Sequence, residues 1–134
     1  MRPLDIVPAI RRLETDRSDL LAIEIAGPVT GADVENLYGL LEGAFALSPR
    51  IDLLVRWPAG GEVEWGAVAA ATLRAARDDT ARHVGKCAAI GARGDVSALL
   101  KRFVGPVGEV RRFAATDEEA AWAWVGARGT AGGP

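Results

Sequence analysis

The sequence predicts an α/β protein, a mixed sheet of about five strands flanked by about four helices, on three observations. Two β-like runs stand side by side at the start, joined by a polar turn; from there strand and helix patterns alternate; and the period of the apolar residues switches between two and about 3.6 at each change. The opening pair implies a hairpin, and the alternation implies parallel neighbours joined by right-handed crossovers.

The elements follow in order. AIRRLETD and LLAIEIAG flank the turn RSD, and in the second run Leu21, Ile23 and Ile25 alternate with Ala22, Glu24 and Ala26. PVTGADVENLYGLLEGAFAL then places Val34, Leu37, Tyr38, Leu41 and Phe45 on one helical face, with Thr30 and Asp33 as a capping-box-like start. IDLLVRW reads as a strand covered on both faces. After the turn PAGGEVEW the spacing predicts an Ala-rich helix over about 62–77, and a short turn through His83 leads to the strand GKCAAIGA. RGDVSALLKRFVGP gives an amphipathic helix with Val96, Leu99, Leu100 and Phe103 on one face, stopped by Gly105 and Pro106. GEVRRFAA reads as an edge strand, because its arginines need solvent. TDEEAAWAWV closes the fold as a helix with a capping box from Thr116 to Glu119. On that helix Trp124 is expected in the core and Trp122 partly exposed. One domain over 1–126 and a disordered tail over 127–134 are expected.

Composition narrows the function. With 134 residues, 49% hydrophobic and 25% charged, the chain is globular in character, and no apolar run approaches a membrane span. A cytoplasmic location is expected. The net charge of −2, acidic in the first half and mildly basic in the second, speaks against nucleic acid as a partner. Cys87 is the single cysteine and reads as a small buried residue, and His83 is the single histidine. Nothing resembles a nucleophile, base and orienter set, so no catalytic residue, metal or cofactor is assigned.

The stretches RRLETDRSDLLAIEIAGPVTGADVENL, IDLLVRW, AAIGARGDVSALLKRFV and GEVRRFAATDEEAAWAWV occur in an order that resembles the SpoIIAA-like group of the STAS superfamily, also described as STAS/SEC14-like. The resemblance covers nearly the whole chain except its tail. It implies a SpoIIAA-like (STAS) fold and action through binding, not catalysis. Anti-sigma-factor antagonists of the STAS type carry a phosphorylatable Ser or Thr at the turn after the third strand, where a helix begins. Here that turn is PAGGEVEW, with no Ser, Thr or Tyr between Ser48 and Thr72. On the predicted helix Thr72 lies about two turns inside, while Glu62 and Glu64 cap the start and would repel a phosphate. No phospho-switch is expected.

The same turn carries the candidate ligand site. Trp57 and Trp65 flank Gly60 and Gly61 at the carboxyl end of a parallel strand, a place where α/β proteins form crevices. In the resembled family an apolar pocket beside this turn is associated with lipid-like ligands, and Leu99, Leu100 and Phe103 would supply further walls. GARG at 91–94 reads as a tight strand-to-helix turn, not a phosphate or RNA loop. Lys101, Arg102, Arg111 and Arg112 read as solvated charges. The leading expectation is a non-enzymatic STAS-like regulatory or protein-interaction module without the Ser/Thr switch, its contact surface built from GAVAAATLRAA and the ALLKRFV face. The alternative is a carrier or sensor of a small apolar or lipid-like ligand near Trp57 and Trp65. The partner is left unnamed, and a homodimer is allowed.

Overall fold

A computed structural model describes residues 9–58, 60–91 and 93–128, for residues 93–97 the backbone alone. The elements are β1 (Ile10–Leu13), β2 (Leu20–Ile25), α1 (Gly31–Leu47), β3 (Ile51–Trp57), α2 (Ala70–His83), β4 (Val84–Gly91), α3 (Arg93–Phe103), β5 (Glu109–Phe113) and α4 (Glu118–Trp124). Short 3-10 turns precede α2 at Trp65–Ala67 and α4 at Ala115–Asp117. The sheet order is β1-β2-β3-β4-β5, antiparallel between β1 and β2 and parallel thereafter. The mixed five-stranded sheet and its four helices are those read from the sequence.

This order dictates an uneven sandwich. Three crossovers of one hand, each stepping to the next strand in the same direction, place their helices on one face of the sheet. The main core lies there, where Leu21, Ile23, Leu53, Val55 and Ala89 of the strands meet Val34, Leu37 and Leu41 of α1, Ala76 of α2 and Leu99 and Phe103 of α3. Thr30 caps α1 as expected: its side chain accepts from the Asp33 N–H while the Asp33 carboxylate accepts from the Thr30 N–H. Across the helix layer, the Tyr38 hydroxyl donates to Asp79 on α2 at 3.1 Å. Burial and that carboxylate push the phenol up to about 12.

Among the described residues the other face has α4 as its one helix. Leu20, Ala22, Leu54, Ala88 and Ile90 form a narrower core with Ala121, Val125 and Ala127. A seven-residue helix is far below the length that sustains itself in water, so its position depends on ties at both ends. At its start Glu118 accepts from Arg56 of β3 at 2.5 Å, and Arg56 also donates to Glu24 of β2 at 2.6 Å. At its end the Val125 carbonyl accepts from Arg17 at 2.5 Å and the Trp124 carbonyl from the Lys86 ammonium at 3.2 Å. Arg17 in turn holds Asp19 and Asp52, at 2.8 and 2.9 Å. Cations thus meet the negative end of the helix and satisfy its last carbonyls.

Several expectations change on this face. The capping box from Thr116 to Glu119 is absent, because Thr116 lies inside a 3-10 turn and the N-cap falls on Asp117 without a side-chain bond. Trp124 is half-buried, not core, and Trp122 is half-buried too. With one short helix on this face, the Trp124 ring packs on Phe113, with Lys86 5.1 Å and Arg111 5.9 Å from its centroid. The Trp122 indole donates to Glu118 at 3.1 Å. Of the segment expected as a tail, Ala127 is buried and the Arg128 carbonyl accepts from the Asp16 N–H at 3.0 Å; residues 129–134 lie outside the described residues.

Two predictions follow from these contacts. Gly91 has φ +132°, and a Cβ there would lie 2.0 Å from the Trp57 carbonyl oxygen. Gly91→Ala should therefore lose at least about 2 kcal/mol through strain and forced displacement, whereas Gly39→Ala, at an open position of α1, should gain about 0.5–1 kcal/mol. Denaturant unfolding of both variants checks the pair. The second concerns acid. Burial works to raise the Glu24 pKa, but hydrogen bonds from Arg11 and Arg56 outweigh it and hold the carboxyl below its ordinary 4.5. The unfolded chain then takes up this proton more readily, so the stabilisation is complete above about pH 4.5 and disappears as pH falls through the lower folded value. Glu24→Gln should lower stability at pH 7 and flatten the acid limb of a melting-temperature profile.

Candidate functional site

The turn after β3 is a brace. From Gly61 onward the chain runs alongside the β2–α1 connection: the Val29 N–H donates to the Glu62 carbonyl at 2.8 Å, the Glu64 N–H to the Val29 carbonyl at 2.9 Å, and Val29 and Val63 form a parallel bridge. Gly61, at φ +148°, presses against Gly27, where a Cβ would meet the backbone at 3.2 Å. The Glu64 carboxylate accepts from the Gly31 N–H at 3.1 Å and so serves the first turn of α1.

These bonds overturn the helix predicted over 62–77. Residues 62–64 pair with Val29 and form no helix, a 3-10 turn follows, and α2 starts only at Ala70. Glu62 and Glu64 therefore do not cap α2. Thr72 is not two turns inside it but the third helical residue, and its hydroxyl lies 3.1 Å from both carboxylate oxygens of Glu35 on α1, to which it donates.

Each candidate ligand residue has a definite place. Trp57 is 0% exposed, its indole N–H donating to the Gly27 carbonyl at 3.1 Å. Gly60 is buried and Gly61 half-buried at the brace. Trp65 is half-buried in the 3-10 turn, with the Arg102 guanidinium 5.4 Å from its ring centroid. Leu99, Leu100 and Phe103 of α3 come together elsewhere, around an apolar cavity between the sheet and α1 whose other walls include Ile23, Leu37, Leu41 and Val55. Its free volume is about 10 Å³, the space of roughly one water molecule. Trp57 and Trp65 are not in its lining. The expected ALLKRFV contact face also divides, since Leu99, Leu100, Phe103 and Val104 are buried while Ala98, Lys101 and Arg102 are exposed.

Arg102 over Trp65 is the pairing that sequence reasoning missed. Arg102 read as a solvated charge, and no spacing rule joins it to a ring 37 positions away. Cys87 is fully buried in β4, and burial pushes its thiol up to about 12, which leaves it protonated at neutral pH. Among the described residues, no helix is long and apolar enough to cross a membrane.

A mixed five-stranded sheet with three crossover helices on one face and a short terminal helix on the other defines a STAS-type architecture. A sequence profile of the SpoIIAA-like family matches residues 20–126, and the chain belongs to that family. Among solved structures it is similar to an uncharacterized protein of the DUF3478 family with a SpoIIAA-like fold from Shewanella loihica PV-4. The TM-score is 0.59 at 22% identity, over 90% of this chain and 97% of that one. No curated protein matches.

The cavity gives a direct prediction. Phe103→Ala should cost about 3–5 kcal/mol and enlarge an apolar hole. Saturating benzene should recover part of that loss in the variant and leave the melting temperature of the parent unchanged.

Proposed function

We propose that this member of the SpoIIAA-like family is a non-catalytic module that binds a protein partner through the braced turn after β3 and the neighbouring side of α3. The observation that carries this reading is the half-buried Trp65 with Arg102 over its ring, set on a turn that backbone hydrogen bonds hold in place. Tryptophan and arginine dominate the energetics of protein interfaces, and a rigid display lowers the entropic cost of association. Ala70 and Ala71 are exposed at the start of α2 and add small side chains against which a partner can approach closely.

The module works without phosphorylation of this turn. Its stretch from Pro58 to Trp65 contains no hydroxyl. A phosphate on Thr72 would face the Glu35 carboxylate that now accepts its hydroxyl, and like charges at that distance oppose each other.

A second reading, a carrier or sensor of a small apolar or lipid-like molecule, draws support from the cavity lined by Leu99, Leu100 and Phe103. At about 10 Å³ it would have to open between α1 and α3 to admit a chain of several carbons. That requirement places it behind the interaction module.

Native mass spectrometry of the protein purified from its own host separates the two. The module predicts a second polypeptide in the complex, lost in Trp65→Ala while the melting temperature of the free protein changes by only a few degrees. A small-molecule adduct that survives Trp65→Ala and disappears in a bulky Leu100→Trp variant would replace this reading with the carrier.

A further inference from the structure

We propose that the free edge of β5 pairs antiparallel with β5 of a second copy of this chain, around a twofold axis at Val110, to make one continuous ten-stranded sheet. This self-association is independent of the Trp65 surface. β5 ends the strand order, and among the described residues no strand lies beyond it. Glu109, Val110, Arg111 and Arg112 are all exposed, and Val110, at 51%, is one of two large apolar side chains among the described residues that stand prominently in solvent.

Symmetry and charge select the register. In an antiparallel pair, directly opposed residues are either both hydrogen-bonded across the ladder or both not. A strand meeting its own copy must therefore oppose residues an even number of positions apart, and the axis passes through a residue. Three axes keep most of EVRRF paired. An axis at Arg111 or Arg112 sets that arginine against its own copy, which is unfavourable. An axis at Val110 sets Val110 against Val110 and Glu109 against Arg111, twice over by symmetry.

The side chains suit this axis. Glu109, Arg111 and Phe113 alternate onto one face of the strand, the one whose Phe113 packs with α4. Among the described residues neither Glu109 nor Arg111 forms an ion pair within the chain. The Arg111 guanidinium lies 5.8 Å from the Phe113 ring and 5.9 Å from the Trp124 ring, a flat bed that orients it before any partner arrives. Charged residues on an edge strand ordinarily discourage pairing; here their signs alternate so that the strand complements itself.

Sedimentation of the full chain over a wide concentration range tests the proposal, with circular dichroism to show that each variant is folded. A monomer–dimer equilibrium that weakens with salt is expected. Glu109→Arg should weaken it about tenfold or more, and so should Arg111→Glu, since each opposes like charges at two places. Combining the two reverses both pairs and should restore the dimer. Val110→Cys should yield a disulfide-linked dimer under mild oxidation while Arg112→Cys does not, and Cys87 is too deeply buried to compete. A chain that stays monomeric at all concentrations overturns the proposal. So does a dimer unaffected by Glu109→Arg, a folded double variant that stays monomeric, or equal crosslinking from positions 110 and 112.

Discussion

A single seven-residue helix packs on one face of the sheet, and Arg17 and Arg56 hold it there. The three crossovers step in one direction and place α1, α2 and α3 together, so a single short helix remains for the opposite face. Such a helix cannot hold itself and adds Ala121, Trp122, Trp124 and the following Val125 to a narrow core. Cations tie both of its ends: Arg56 at its start through Glu118, Arg17 and Lys86 at its last carbonyls. Both arginines have raised pKa values and stay charged throughout. For Arg17 the leading cause is the hydrogen bond to Asp19; for Arg56 the bonds to Glu118 and Glu24 outweigh the opposing effect of burial.

The same economy of material shapes the opposite end of β3. In a parallel sheet the chain leaving a strand must reach the next helix, and here it first pairs with the connection that left β2. That pairing joins the starts of α1 and α2: Glu64 serves the first turn of α1, and Thr72 of α2 donates to Glu35 of α1. A turn tied in this way has little freedom to open around a ligand. It displays Trp65 in a fixed setting, which suits recognition of a surface better than enclosure of a small molecule.

The two charged edges of the protein differ in their chemistry. On β1, Arg11 is held by Glu24 within the sheet, at 2.7 Å. On β5, Arg111 lies on aromatic rings and Glu109 stands exposed beside it. Arg11 is met within the sheet at one edge, whereas Glu109 and Arg111 form no ion pair among the described residues at the other, which is why β5 is the edge proposed for self-association.

Local rules were enough for much of this. Period-two and period-3.6 apolar spacing marked every strand and most of the helices, and the Thr30–Asp33 box, the burial of Cys87 and the edge position of β5 were all legible from residues close in sequence. The late start of α2, the loss of the Thr116 cap and the half-exposed Trp124 were not. Residues 62–64 have a helix-compatible pattern, but hydrogen bonds to Val29, more than thirty positions earlier, keep them out of a helix. Glu118 accepts from Arg56, 62 positions away, as well as from Trp122 one turn along the helix, and neither bond is a cap. Trp124 lies on the face its spacing predicts, yet stays half-buried, since three helices share the other face of the sheet. The sequence by itself determined which segments are strand and helix and in what order, because those choices depend on side chains a few residues apart. Only the tertiary structure decided which turns are pulled straight and which rings are covered, because those outcomes depend on partners that the chain brings together only when the sheet has formed.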